Sequence, residues 1–285
     1  MTVLFIQIGN NILNLIRFLL CLLLFLPPSV AWAQTTEQAR KITFSQHVAI
    51  PARWFTTDAL EQVYLVNAQN EVVKWTLTEG VKARFAMKQW GAVTYLDATN
   101  PFSVLVYFAD FQNVVLLDRN LNLLTSLSLF DLALIEPSAV GISAQNDIWI
   151  FDAATAELKK LNAQNQIFQI QQTIPMPLLR GVKISQLVVE DNQLFLLAPT
   201  QGIYILDIFG NLIQKIAIKN IQYFQIIDKQ LIYKDEKNQF WTYQQLSLTT
   251  KEIILPATLQ QNNLLRIGRN HIFVLHDETV DVFDF

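Results

Sequence analysis

The chain has 285 residues, 21 Lys and Arg against 24 Asp and Glu, and a formal net charge of −3 at pH 7. Charges of both signs are scattered without a basic stripe, which argues against nucleic acid as a partner. The single cysteine, Cys21, lies in an N-terminal apolar stretch, so the rest of the chain has no internal disulfide, thiol nucleophile or Cys-type zinc site.

The first element is a targeting segment. Phe18–Leu26 reads FLLCLLLFL, Arg17 precedes it, and no acidic residue occurs before Glu37. Pro27 and Pro28 break a helix, and Ala31-Trp32-Ala33 supplies the small-x-small pattern of a signal-peptidase site. The expectation is a signal peptide over residues 1–33, cleaved after Ala33, leaving a single domain over residues 34–285. Loss of Arg17 takes the formal charge from −3 to −4. The alternative is a retained anchor. Phe18–Leu26 falls short of the roughly 20 apolar residues of a spanning helix, although counting from Asn11 weakens that objection. A lipoprotein reading of Cys21 meets a bulky Leu20 where a small residue belongs. A periplasmic or secreted location follows, with no membrane span after cleavage.

Beyond residue 50 an apolar strand, a polar turn and a second apolar strand recur six times, at a period of about 40 residues. That is the pattern of an all-β, six-bladed β-propeller with four antiparallel strands per blade. Lettered A to D from the channel outward, blade 1 is expected at Ala52–Thr57, Val63–Val66, Val72–Leu77 and Ala83–Met87. Blade 2 follows at Ala92–Leu96, Ser103–Phe108, Val114–Asp118 and Leu123–Leu129, and blade 3 at Ala139–Ser143, Asp147–Phe151, Glu157–Leu161 and Gln166–Gln171. Blade 4 takes Ile184–Val189, Leu194–Ala198, Ile203–Asp207 and Leu212–Ile218. Blade 5 takes Gln222–Ile227, Gln230–Tyr233, Gln239–Tyr243 and Thr250–Leu255. Blade 6 has Leu264–Ile267, His271–Leu275 and Thr279–Phe283, and no fourth strand follows. An open ring would expose strand edges. Lys41–Val48 (KITFSQHV) is therefore expected beside Thr279–Phe283, closing the ring as the outer strand of blade 6. In the C–D turns, Asp118 and Asp207 are expected to cap turn amides rather than ligate metal, and Asn162–Asn165 is expected as a turn.

Asp147–Asn165 (DIWIFDAATAELKKLNAQN) and Gly202–Gly210 (GIYILDIFG) resemble NHL-type six-bladed repeats: a strand, a polar turn, a strand ending in Asp, and a Gly-containing turn. The chain departs from that pattern in having few glycines and no Arg in the middle turn. The Trp-Asp ending of WD-repeats is absent, as are the aspartate box of sialidase-like propellers and the docking motif of quinoprotein propellers. The resemblance implies a fold and a secreted or periplasmic setting, and no activity.

Catalytic signatures are thin. His47, His271 and His276 lack metal-ligand spacing, though the first and second fall on strands of the last blade and could be neighbours. There is no nucleophile elbow and no Gly-rich phosphate loop. The inner-strand spans hold no carboxylate, which argues against a calcium hydrolase. No cofactor and no metal are expected.

A binding face is easier to place. The D–A and B–C loops share one face around the channel mouth, and two D–A loops are long and apolar, Phe130–Pro137 and Ile174–Val182. Candidate contact residues are Arg53, Trp54 and Trp90 near the first two inner strands, Phe111 in a B–C loop, and Glu136, Leu178, Leu179 and Arg180 in the long loops. Trp54 and Trp90 have a packing alternative between blades, and the loop leucines could instead plug the channel. The opposite face, with its tight turns, is expected to offer little apolar surface. The reading is a monomeric, non-catalytic binding or assembly protein of the cell envelope with a protein partner. The alternative is a propeller hydrolase or lyase with its site at the channel mouth.

Overall fold

The computed structural model describes residues 42–100, 102–164, 167–260 and 264–285. The expected signal segment lies outside them. The described residues form six four-stranded antiparallel sheets, one per blade. Thr43–Val48 pairs with Thr279–Asp284, with Phe44 opposite Phe283 and Val48 opposite Val280, so a strand from before blade 1 completes blade 6. Several strands match their expected bounds, among them Val63–Val66, Ser103–Phe108 and Leu264–Ile267.

Two differences bear on the site. The inner strands of blades 2 and 4 are Tyr95–Asp97 and Gln186–Glu190, so each ends on a carboxylate that the expected spans left just outside. Blade 2 starts its inner strand three residues late, at Tyr95, and just before it the Val93 N–H donates to Asn70 Oδ1 (2.7 Å) instead of joining the ladder. In blade 3 the two outer strands, Glu157–Gln164 and Ile167–Pro175, run further than expected. Asn162 pairs with Gln169, so most of the expected Asn162–Asn165 turn is strand. Phe168 and Ile170 continue the apolar pattern and pack on the seam with blade 2. At the other end, Ile174 and Pro175 belong to the strand, and the loop tightens into a 3₁₀ turn over Pro177–Leu179.

The core is six seams, one between each pair of neighbouring blades. In blade 4, Leu194, Leu196 and Ala198 face blade 3 while Phe195 and Leu197 face blade 5. Both faces of each sheet are buried, which explains apolar runs without polar alternation. Seam 3–4 is close enough to require a glycine: a Cβ on Gly141 would sit 2.8 Å from the Leu187 carbonyl oxygen.

One five-residue turn recurs along the chain. Asp118 Oδ1 accepts from the N–H groups of Asn120 and Asn122, and Asp207 Oδ1 from those of Phe209 and Gly210's neighbour Asn211. The fourth position is left-handed in each, at Leu121 (φ 60°) and Gly210 (φ 86°). Asp58 and Asp235 build the same turn. The carboxylates are caps, as their chemistry predicts.

Candidate functional site

Strand direction fixes the two faces. D–A and B–C connections emerge at one end of the ring, and A–B and C–D turns at the other. On the D–A/B–C face, loops of blades 2, 3 and 4 are tied into one rim. Leu129 N–H donates to Gln112 O (2.8 Å), and Gln112 Nε2 to Ile135 O (3.2 Å). Ala153 N–H donates to Glu136 O and Met176 N–H to Ala156 O, both at 2.8 Å. Along this rim Phe111, Phe130, Ile135 and Leu178 are 56%, 75%, 64% and 45% exposed.

Asp152, fully buried, anchors the rim from below. Its carboxylate accepts from the N–H groups of Ile135 and Glu136, and Lys159 Nζ lies 3.4 Å away. Burial raises its pKa, but those amides and the ammonium prevail and hold it below the ordinary value.

The structure sorts the expected contact residues. Phe111, Glu136, Leu178 and Arg180 are exposed on the rim. Leu179 is 1% exposed and belongs to seam 3–4, so it is a packing residue and not a presented one. The last two positions of the 3₁₀ turn Pro177–Leu179 split a Leu-Leu pair in opposite directions. Trp90 packs on seam 1–2, edge-on to Phe108 at 5.8 Å. Trp54 packs partly on the same seam and lines the channel. Arg53 donates to Asn67 O and Asn70 Oδ1, while Asn70 Nδ2 donates to Gly91 O, so Asn70 ties Arg53 to the Trp90 loop. His47 pairs with Asp281 at 2.5 Å, whereas His271 pairs with Glu61 at 2.7 Å. The two histidines are engaged separately. Among the described residues no group of three His, Cys, Asp or Glu is placed to hold a metal ion.

The opposite face corrects an expectation. Leu60, Phe102 and Phe209 are all exposed there. Each sits two residues after a capping Asp or Asn, at the position whose N–H turns inward to the cap, which sends the side chain out. The cap geometry itself creates apolar surface on the tight-turn face.

The channel is a cavity of about 510 Å³. Trp54, Thr94, Ser185 and Gln222 line it towards the D–A mouth, and Asp97, Glu190, Asp191 and Asp228 towards the A–B mouth. A side cavity of about 280 Å³ brings Glu136 beside Thr94, Tyr95 and Gln186. In blades 3, 5 and 6, side chains of the preceding blade bond the inner strand's backbone. Gln186 exchanges bonds with Phe224 N–H and C=O, and Gln225 with those of Ile267. Tyr223 Oη donates to Leu265 O and accepts from Leu265 N–H. Asp97 reaches from blade 2 to Ile142 N–H of blade 3.

Sequence reasoning missed the channel charges. Asp97 and Glu190 fell one residue past the expected strands, and Arg266 sat inside the Leu264–Ile267 run without being singled out. Burial pushes the carboxyls of Asp97 and Glu190 up, the latter further raised by Asp191 and Asp97. Burial also pushes the Tyr223 hydroxyl up to about 12 and pulls Arg266 down from the ordinary guanidinium value.

A channel ringed by six such sheets is a six-bladed β-propeller. No protein-family model matches the sequence, and no curated protein does. Solved structures do resemble it in shape. A catalytically inactive variant of virginiamycin B lyase from Staphylococcus aureus with quinupristin is 12% identical, with a TM-score of 0.58 over 86% of this chain and 99% of that one. The Neurospora crassa Pan2 WD40 domain is 10% identical, with a TM-score of 0.56 over 83% and 89%. The Myceliophteria thermophila Cps50 (Swd1) β-propeller domain is 11% identical, with a TM-score of 0.57 over 86% and 100%. Likeness at this identity shows the propeller fold alone.

Proposed function

We propose that this chain is an exported, non-catalytic binding protein of the cell envelope that engages a protein partner through the D–A/B–C face. The observation that carries the reading is the rim itself: Phe111, Phe130, Ile135 and Leu178 exposed on hydrogen-bonded loops, with Glu136 and Arg180 among them. An apolar patch with charges at its margin is what a protein interface uses. Export rests on the Phe18–Leu26 core and the Ala31-Trp32-Ala33 site. N-terminal sequencing of the exported protein should begin at Gln34. No helix among the described residues is long and apolar enough to cross a membrane. The NHL-like character of the repeats and a monomeric state are parts of the same proposal.

The test is the triple variant Phe111→Ser, Ile135→Ser, Leu178→Ser, which spares the buried Leu179. It should keep the parent's melting temperature within a few degrees and lose at least tenfold of partner capture from envelope extract. Unchanged capture defeats the reading.

One observation favours the alternative of a propeller hydrolase or lyase, namely the titratable groups converging in the channel. Catalytic consumption of quinupristin, present with the lyase structure, by the purified chain would favour it, and so would stoichiometric calcium or zinc in that protein.

A further inference from the structure

Arg266 lies in the third position of the inner strand of blade 6 and lines the channel. A guanidinium carries five N–H donors and no acceptor. Its Nη1 is buried without an acceptor, and the side chain makes no hydrogen bond or ion pair with any described residue. Its guanidinium lies over the face of Tyr223, 4.7 Å from the ring centre. Burying a cation without an anionic partner is costly, and an aromatic face returns only part of that cost. Two of the carboxylates lining the cavity are committed elsewhere. Asp97 accepts from Thr99 and Ile142, and Asp58 from Leu60, Gln62 and Tyr64. Burial is the dominant influence on Arg266, and the titratable groups beside it are the phenols of Tyr223 and Tyr95, both neutral because burial raises them.

We propose that the channel is a binding site for a small monocarboxylate, held by its carboxylate at Arg266 with its body against Tyr95 and Tyr223. The planar guanidinium fork matches a carboxylate in two parallel hydrogen bonds. About 510 Å³ is the size of a small-ligand site, and Trp54, Tyr95 and Tyr223 give it aromatic walls. Charge at the two mouths selects the ligand further. The A–B mouth carries Asp58, Glu61, Asp97, Glu190, Asp191 and Asp228 against Lys229 and Arg269, which opposes a dianion more than a monoanion. The D–A mouth, with Trp54, Thr94, Ser185 and Gln222, carries no charge from those residues, and with Glu136 beside it in the side cavity it is the less acidic route in. This site is separate from the exposed rim, and its fate does not depend on the partner reading.

Calorimetric titration of the purified full chain with sodium benzoate tests it, with inorganic phosphate as the comparison. Saturable benzoate binding is expected, with phosphate at least tenfold weaker. Arg266→Gln should weaken benzoate at least tenfold. Should that variant misfold, Arg266→Lys keeps the charge, loses the fork, and should show the same loss. A crystal structure of the unaltered chain with benzoate should place the carboxylate on Arg266. No saturable binding up to about 10 mM, phosphate binding as tight as benzoate, undiminished binding in a folded Arg266 variant, or a benzoate carboxylate seated away from Arg266 would each overturn the proposal.

Discussion

Leu121 occupies a left-handed backbone position, yet its side chain is buried in seam 1–2. The left-handed conformation costs a non-glycine residue about 1–2 kcal/mol, whereas deleting a buried leucine side chain costs about 2–5 kcal/mol. Burial wins, so Leu121→Gly should destabilise the protein by about 1–3 kcal/mol in urea unfolding, although glycine fills the matching position at Gly210. A gain in stability would mean that the turn, not the seam, governs this residue. Glu190 presents the opposite balance. Its side chain makes no hydrogen bond or ion pair with a described residue, and burial with the nearby charges of Asp191 and Asp97 raises its pKa against a smaller opposing pull from Lys229. A raised carboxyl weakens the folded state above its folded pKa, and the penalty vanishes below the unfolded pKa of about 4.3. Glu190→Gln should therefore stabilise the fold at pH 7 by about 0.5 kcal/mol, a figure kept small because solvent in the channel screens the charges. The gain should fade as pH falls towards 4, and a gain that persists there would assign the effect to something other than charge. These residues also mark where sequence reading stops. The capping roles of Asp118 and Asp207 were legible because each ends its strand at a matching place before an Asn-containing turn, where a carboxylate has one dominant local use. Asp97 and Glu190 were not, because a strand end cannot be read to within a residue. The solitary guanidinium of Arg266 depends on what other blades fail to place beside it.

At the level of elements, the inner strands are edges facing a channel, and a bare edge leaves backbone groups unpaired. The answer here is side-chain amides and hydroxyls from the preceding blade. Gln225 donates to Ile267 O at 2.7 Å and accepts from Ile267 N–H at 3.4 Å. Gln186 does the same for Phe224. Each bond contributes about 0.5–1.5 kcal/mol, and these are only partly buried. Gln225→Ala should cost about 1–2 kcal/mol by thermal or urea unfolding, while Gln225→Glu keeps one acceptor and replaces the amide donor. If Gln225→Ala unfolds like the parent, channel water substitutes fully for the amide. The period of the repeat was plain in the sequence, but these bonds were not. They join residues 38 and 42 apart, and a glutamine on a channel edge reads like any polar strand residue. Blade 3 shows a second limit. Its Asn-rich stretch looks like a turn, yet a register shift between Lys160 and Leu161 lets Asn162 continue as strand.

For the whole molecule, the decisive contact is made by residues far apart in sequence. Thr43–Val48 pairs with Thr279–Asp284 through five residue pairs interrupted by one bulge. Its side chains are mostly exposed, and Val48 alone is fully buried, in seam 6–1. Phe44 adds an edge-to-face contact with Phe283 at 5.7 Å. The exposed His47–Asp281 pair adds little. The strand therefore stabilises chiefly by backbone hydrogen bonding and by covering an edge, not by apolar burial. This explains why counting strands found the closure when hydropathy alone would have passed over TFSQHV. Deleting residues 41–48 should cost several kcal/mol, the scale of losing a buried network plus one core side chain. It also bares Thr279–Asp284, an edge whose Val280 and Val282 are fully buried in the intact ring. Unfolding should begin at lower denaturant, and light scattering should rise with protein concentration as exposed edges pair between molecules. The milder variant Val48→Ala separates the two contributions. It removes the seam contact but leaves the ladder, so it should lower stability by about 1–2 kcal/mol without aggregation. A deletion variant as stable and as soluble as the parent would show that the ring holds without its closing strand.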